Sequence, residues 1–214
     1  METVKIITKI EELDQKRSKV YINQEFSFVL YKGEIAQYKI RREEPIGESV
    51  YNVIKKEVLP KRAKKRCLNL LQKRPYTESK LRGKLKEGHY TEDIIDEAIE
   101  YVKSFHYIDD YDYACQYIFY HKERETRKKI EEKLMLKGIN KEVLNQAFDD
   151  MYDDMEQQEI ELQQAKKLLE KKRYDINCVE WKEKQKIYAF LARKGFSSSV
   201  IRAAMCLYND MFEI

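Results

Sequence analysis

Residues 130–151 read IEEKLMLKGINKEVLNQAFDDM, and this stretch decides the fold because its pattern of apolar residues occurs twice more. The other two copies are residues 81–102, LRGKLKEGHYTEDIIDEAIEYV, and residues 187–208, IYAFLARKGFSSSVIRAAMCLY. Most apolar residues in a copy are one, three or four positions apart, which places them on one face of a helix. The copies begin 49 residues apart (81 to 130) and then 57 apart (130 to 187). Such a period is typical of a tandem array of small helical units.

A short turn interrupts the pattern at the same place in every copy. Gly138 and Gly195 stand where a helix end requires the left-handed conformation. His89 takes this place in the first copy, which predicts a slightly different turn there. Residues able to cap a helix N-terminus follow the turn or precede the pattern: Thr91, Asn140, Ser197, Thr77 and Thr126. Each copy therefore predicts two helices.

A further helix precedes each copy, over about 61–73, 111–121 and 161–173, so that the repeating unit has three helices. We predict a mainly α protein in which three tandem three-helix repeats form an elongated curved array. The repeats are expected at 57–108, 109–156 and 157–214, and the third carries an insertion near 174–181. The alternative of three unrelated amphipathic helix pairs fits the shared turn and caps less well.

The segment 1–56 has a different pattern. Residues 4–10 and 19–31 are rich in β-branched and aromatic residues, which favours strands. Apolar and polar residues alternate from Val20 onward, and Asn23 and Gln24 are placed to form a hairpin turn. We predict a small β-rich segment, a short helix at 33–40 and a lead-in helix that starts near Glu48.

The composition is that of a polar, helix-rich protein. Charged residues make up 37% of the chain, the net charge is +4 and the mean hydropathy is −0.75. No stretch approaches the roughly twenty apolar residues that a membrane span needs, and no apolar signal-peptide core follows Met1. The four cysteines are far apart, without a Cys-x-x-Cys pair, which indicates buried or free thiols. We expect a cytoplasmic protein that interacts with no membrane.

No motif of an enzyme or a metal site is present. The chain lacks a Gly-rich phosphate loop, His-Glu-x-x-His and Gly-x-Ser-x-Gly. The residues His89, His106 and His121 lack the spacing of metal ligands. Asp109 and Asp110 suggest a metal site, but capping of the following helix is the simpler interpretation. We predict no catalytic residue, no metal and no cofactor.

Charge is segregated within the repeats. Between Lys61 and Lys86, eleven basic residues stand against one acid, Glu78, whereas nine acids between Glu87 and Asp112 are opposed by one lysine. The second repeat alternates in the same way, and the first two helices of the third are also basic. Stacked repeats would align the basic helices into a stripe, which is typical of proteins that bind a polyanion. The alternative is a set of solvated helix faces with local ion pairs.

Several segments resemble the RecX regulatory family. Residues 74–85, RPYTESKLRGKL, resemble the opening of a RecX repeat. Residues 105–114, FHYIDDYDYA, resemble the family's Gly-Tyr-Leu-Asp-Asp segment, with His106 in place of glycine and Ile108 in place of leucine. The family's Leu-x-x-Lys-Gly pattern fits residues 134–138 and 191–195. The resemblance covers nearly the whole chain, since longer forms from low-GC Gram-positive bacteria carry a similar N-terminal extension.

The resemblance implies a regulator of the RecA recombinase. Members of the family bind in the groove of the RecA filament on single-stranded DNA and inhibit strand exchange and ATP hydrolysis, or limit filament growth. We expect a monomer with weak direct binding to DNA. Charge placement, rather than a family motif, predicts the contact residues: Lys65, Arg66, Lys73, Arg74, Arg82, Lys84, Arg127, Lys128, Lys133, Arg193 and Lys194.

Two rival functions remain open at this point. A direct DNA-binding protein would use its helix-turn-helix-like pairs and would carry basic, base-reading residues on the second inner helix. Those helices, about 91–104 and 141–154, are acidic here, which disfavours their insertion into a groove of DNA. A scaffold that binds only proteins would bind independently of salt and would not be retained on a polyanion column.

Overall fold

The computed structural model describes residues 4–174 and 181–207. It is mainly helical, with one three-stranded antiparallel sheet near its N-terminus, as the sequence predicts. The chain divides into two compact units, Met1–Ile108 and Asp109–Ile214. The predicted insertion falls mainly on residues 175–180, which lie outside the described part of the chain.

The sheet consists of β1 (Ile7–Glu12), β2 (Arg17–Ile22) and β3 (Glu25–Tyr31), in that order. Asn23 and Gln24 connect β2 to β3 with φ angles of 49° and 72°, which confirms the predicted hairpin turn. Side chains on β1 and in the turn hold the connection: the Asn23 Oδ1 accepts the Ile6 N–H at 2.9 Å, and the Thr8 hydroxyl accepts the Gln24 N–H at 2.9 Å.

The first unit continues with helices α1 (Lys32–Gln37), α2 (Glu48–Val53), α3 (Leu59–Leu71), α4 (Glu78–Lys86) and α5 (Glu92–Ser104). Helix α1 is shorter than predicted because Lys39 takes a φ of 51°. A π-helical segment, Ile54–Val58, joins α2 to α3 without a break. The wider turn lies directly before Pro60, whose ring and missing N–H disturb ordinary helical bonding.

The sheet and the first three-helix repeat share one hydrophobic core. Val20 and Phe28 from the sheet lie in the same buried cluster as Cys67, Leu81 and Ile95 from the helices. The segment 4–56 therefore packs as a layer on the first repeat. Burial raises the pKa of the Cys67 thiol to about 11, so this cysteine is an inert core residue.

The second unit contains α6 (Asp110–His121), α7 (Arg127–Leu136), α8 (Lys141–Met151), α9 (Asp154–Lys171), α10 (Trp181–Arg193) and α11 (Ser198–Leu207). Asp109 accepts the amides of Tyr111 and Asp112 at 2.8 and 3.1 Å, which confirms the capping interpretation. Helix α9 begins earlier than predicted, so the expected border between residues 156 and 157 falls inside a helix. Asp153, whose carboxylate accepts the Met155 amide at 3.1 Å, caps that early start.

The turn between the two inner helices has the same hydrogen bonds in all three repeats. The amides of Tyr90, Ile139 and Phe196 each donate, at 3.3 Å, to the carbonyl five residues earlier. His89 adopts a φ of 60° in the place of Gly138 and Gly195. The expectation of a different first turn is therefore wrong, because the helix-end bonding pattern imposes the left-handed conformation on His89 as well.

Three of the five predicted caps are confirmed. The side chains of Thr77, Asn140 and Ser197 accept helix amides at 3.3, 2.8 and 3.3 Å. Thr91 and Thr126 occupy N-cap positions, but their side chains make no capping bond. The predictions for these two threonines are wrong, and the hydroxyl of Thr126 has a tertiary partner instead.

The matched apolar positions form the cores of the repeats. In each repeat the first helix packs against the third, as α3 on α5, α6 on α8 and α9 on α11. The second and third repeats have separate buried clusters, centred on Phe148 and on Ile201. The tandem three-helix repeats are thus confirmed. Their arrangement into an elongated curved array stays a prediction.

Candidate polyanion-binding surface

Two of the predicted contact residues in the first unit are occupied by ion pairs. Arg82 bonds Glu78 at 2.8 Å and Asp96 at 2.6 Å, and Lys84 bonds Glu87 at 2.7 Å. Partial burial raises the pKa of Glu78, but the bonds from Arg82 and Lys103 outweigh it and the net shift is downward. At Arg82 and Lys84 the structure therefore matches the alternative interpretation, a solvated helix face with local ion pairs.

Four other predicted residues of this unit have no carboxylate partner within the described chain. Lys65 and Lys73 are exposed and make no ion pair there. Arg74 lies over the ring of Tyr76 at 4.8 Å, and Arg66 donates only to the Lys84 carbonyl, at 3.4 Å. Among the predicted contact residues of the first unit, Lys65, Lys73 and Arg74 are the exposed ones, so an external anion can reach them.

The predicted residues of the second unit also differ in availability. Arg127 donates to Gln157 at 3.1 Å and lies over the ring of Phe148 at 4.7 Å, so contacts within the chain already engage this side chain. Lys133 pairs with Glu125 at 2.5 Å. Three exposed residues make no ion pair with the described residues: Lys128, Arg193 and Lys194.

A groove of about 400 Å³ lies in the second unit between the second and third repeats. Two carboxylates, those of Glu123 and Glu125, lie in its wall, together with five cationic side chains: Arg124, Lys129, Lys133, Lys167 and Lys194. We call it the basic groove. It contains Lys133 and Lys194 from the sequence prediction and adds three cations that sequence reasoning did not select.

The close contact of two helix ends builds the basic groove. The Thr126 hydroxyl, at the start of α7, donates to the Lys194 carbonyl at 3.1 Å. Gly195 has a φ of 97°, and a Cβ there would lie 2.5 Å from the Thr126 Oγ1. Only glycine permits this approach, which sets Lys194 beside the α7 lysines.

Helix α9 forms the floor between the two repeats. The Gln164 side chain donates to the Lys122 carbonyl at 2.8 Å. The buried Glu161 carboxylate accepts the Arg127 backbone N–H at 3.0 Å and so caps α7 in place of Thr126. Burial raises the pKa of Glu161, against the bonds from Arg127 and Gln157, which lower it. The groove is therefore framed by hydrogen bonds that join residues far apart in sequence.

Replacement of the buried Glu161 carboxyl tests whether its burial raises its pKa. A folded pKa above the usual 4.5 makes the contribution of Glu161 to stability greatest below that value, and the contribution is lost as pH rises through the folded pKa. Glu161→Gln keeps an acceptor oxygen without the charge. We expect it to raise the melting temperature by a few degrees at pH 7 and to give no gain near pH 4, as followed by circular dichroism. The exposed Glu159→Gln serves as control, and equal behaviour of the two variants would contradict the assignment.

The described residues hold no group of three or more His, Cys, Asp or Glu side chains that could bind a metal ion. Over the same part of the chain, no helix is both long and apolar enough to cross a membrane.

Comparison with known proteins agrees with these repeats. The family model described as RecX, first three-helix domain, matches residues 63–101. The family model described as RecX, third three-helix domain, matches residues 159–205. Regulatory protein RecX of Clostridioides difficile is 28% identical over 208 residues, which is 94% of each chain. The same protein of Clostridium perfringens (strain SM101) is 29% identical and covers 91% of this chain and 92% of its own. The chain is thus similar to regulatory proteins RecX along more than nine-tenths of its length.

Solved RecX structures share the fold. A crystal structure of regulatory protein RecX is 26% identical, with a TM-score of 0.61, over 93% of this chain and 98% of the other. RecX from Lactobacillus salivarius is 25% identical, with a TM-score of 0.61, over 71% of this chain and 97% of its own. In this chain the family's first and third domains correspond to α3–α5 and α9–α11, and α9 also builds the basic groove.

Proposed function

We propose that this chain is a non-enzymatic modulator of the RecA recombinase. It binds the cytoplasmic RecA filament on single-stranded DNA as a monomer and lowers its ATPase, strand exchange or growth. Similarity to regulatory proteins RecX supports a regulatory role. The observation that carries the polyanion part of the proposal is the basic groove.

The charge of the basic groove fits a phosphate backbone or an acidic protein segment. Five cations face two carboxylates, so the groove has an excess of three positive charges. Each phosphate of a single strand that such cations neutralise adds about 0.7 to the salt dependence of binding. Exposed Lys65, Lys73 and Arg74 of the first unit add further contacts, and several modest contacts along one filament strengthen each other by multivalency.

The acidic third helices disfavour the alternative of a direct DNA-binding protein that inserts helices into a groove. Helix α5 exposes Asp96, Glu97 and Glu100, and α8 exposes Asp149 and Asp150. These side chains would repel phosphates at the surface that a recognition helix presents. A partner made of both protein and nucleic acid can bind the basic surfaces of the chain through phosphates and its acidic helices through basic protein residues.

A titration tests the proposal. The protein is added to RecA assembled on single-stranded DNA, and ATP hydrolysis and strand exchange are measured. We expect both rates to fall at stoichiometric protein, with much weaker binding to the same DNA without RecA. Unchanged rates would refute the regulatory proposal. Equal affinity for bare DNA would favour the direct DNA-binding alternative, and salt-independent binding would favour a scaffold.

A further inference from the structure

A second cationic site lies in the first unit. A cavity of about 40 Å³ lies between β2, β3, α3 and the α4–α5 turn. The guanidinium-bearing side chains of Arg17, Arg62 and Arg66 line it, together with the rings of His89 and Tyr90. We call it the arginine cavity. Its residues come from both the sheet and the first repeat.

The carboxylates around the arginine cavity do not balance its guanidinium groups. Asp14 holds Arg17 at 2.7 Å, and Glu34 holds Arg62 at 2.5 Å. Arg66 has no carboxylate among the described residues, since its Nε donates only to the Lys84 carbonyl at 3.4 Å, a long hydrogen bond. The cavity is therefore left with the charge of one guanidinium uncompensated.

The pKa values of Tyr90 and His89 are both affected by nearby cations. Burial raises the pKa of Tyr90, and Arg62, Arg66 and Arg17 each lower it. Burial also lowers the pKa of His89, with smaller effects in the same direction from Lys19 and Arg17. The lowered pKa favours the neutral imidazole, which can offer a hydrogen bond to a ligand without adding to the positive charge.

The size and the donor set indicate the ligand. One water needs about 10–15 Å³ of such space, so the cavity has room for a larger group. Planar guanidinium forks match the oxygens of carboxylates and phosphates. We propose that the arginine cavity binds a phosphate group, supplied either by inorganic phosphate or by the terminal phosphate of an oligonucleotide. Since the site joins the sheet to the first repeat, the bound anion would stabilise the first unit, whether or not the chain acts on RecA.

Thermal unfolding of the full chain provides the first test. Potassium phosphate is compared with potassium chloride at equal ionic strength and pH 7. At a phosphate concentration about ten times the dissociation constant, we expect the melting temperature of the wild type to rise by about 3 °C or more. Arg66→Gln should abolish the rise, whereas Arg42→Gln, which removes an exposed arginine of the same unit, should keep it. No rise in the wild type, or an equal rise in Arg66→Gln, would overturn the proposal.

The chain has three histidines, which allows a second, local measurement by NMR. Phosphate in the cavity should raise the pKa of His89 in the wild type and not in Arg66→Gln, while the NMR signals of His106 and His121 should not respond to phosphate. An unchanged His89 would mean that the cavity holds only water and would overturn the site. A trinucleotide with and without a 5′-phosphate identifies the source. If only the phosphorylated form shifts His89, the site takes terminal phosphates, and if neither does while inorganic phosphate does, it takes the free anion.

Discussion

Reversal of three lysines in the basic groove should raise the protein concentration needed for half-inhibition of the RecA ATPase by about two orders of magnitude. The variant is Lys129→Glu, Lys167→Glu and Lys194→Glu, and it turns an excess of positive charge into an excess of negative charge. The physical reason is that a polyanion bound in the groove would then meet three repelling carboxylates. ATP hydrolysis by RecA on single-stranded DNA is the measurement.

A matched triple variant distinguishes the effect of the groove on inhibition from the effect of net charge. Lys39, Lys56 and Lys141 are exposed and do not line the basic groove. Their replacement by Glu changes the total charge by the same amount as the groove variant does. Because it leaves the basic groove intact, we expect inhibition close to that of the wild type. Circular dichroism should show unchanged helicity for both variants. Equal loss of inhibition in the two variants would show that total charge, rather than the groove, governs binding.

Gly195→Ala should lower the free energy of unfolding of the second unit by about 2–4 kcal/mol, because two unfavourable effects add. Alanine at a φ of 97° is strained, and its Cβ would lie 2.5 Å from the Thr126 Oγ1. The helix ends would have to separate, which also displaces Lys194 from the basic groove. Urea unfolding followed by circular dichroism measures the loss.

Gly83→Ala is the control for this substitution. Gly83 lies within α4, and a Cβ there would meet nothing within 4 Å. Alanine favours the helix more than glycine does, so we expect a gain of about 0.5–1 kcal/mol. A small effect of Gly195→Ala, comparable in size to that of the control, would contradict the close contact between Gly195 and Thr126.

The repeats could be predicted from the sequence because their determinants are local. Apolar spacing defines the buried face of each helix, and the turn that ends a helix follows from its own hydrogen bonds. His89 shows the limit of residue preferences: its identity disfavours a left-handed turn, yet the same bonds form around it. Thr126 shows a second limit, since its hydroxyl bonds the Lys194 carbonyl, 68 residues away, instead of its own helix.

The candidate site could be predicted only in part, because charge partners depend on tertiary structure. The ion pair of Arg82 with Asp96 crosses from α4 to α5 and cannot be derived from a count of basic residues. Conversely, Arg124 and Lys167 become part of one groove only when α9 packs beside the second repeat. Lys129 shares its position in the repeat with Lys80 and Lys186, which is a partial signal in the sequence. For the first unit, Lys65, Lys73 and Arg74 are therefore better targets than Arg82 and Lys84.

The salt dependence of binding to the RecA filament tests the central claim most directly. Association constants of the wild type and of the triple groove variant are measured on RecA assembled on single-stranded DNA over a range of salt concentrations. If the groove neutralises about three phosphates, the slope of log K against log salt should be steeper by about 2 in the wild type. Equal slopes for the two proteins would contradict the account.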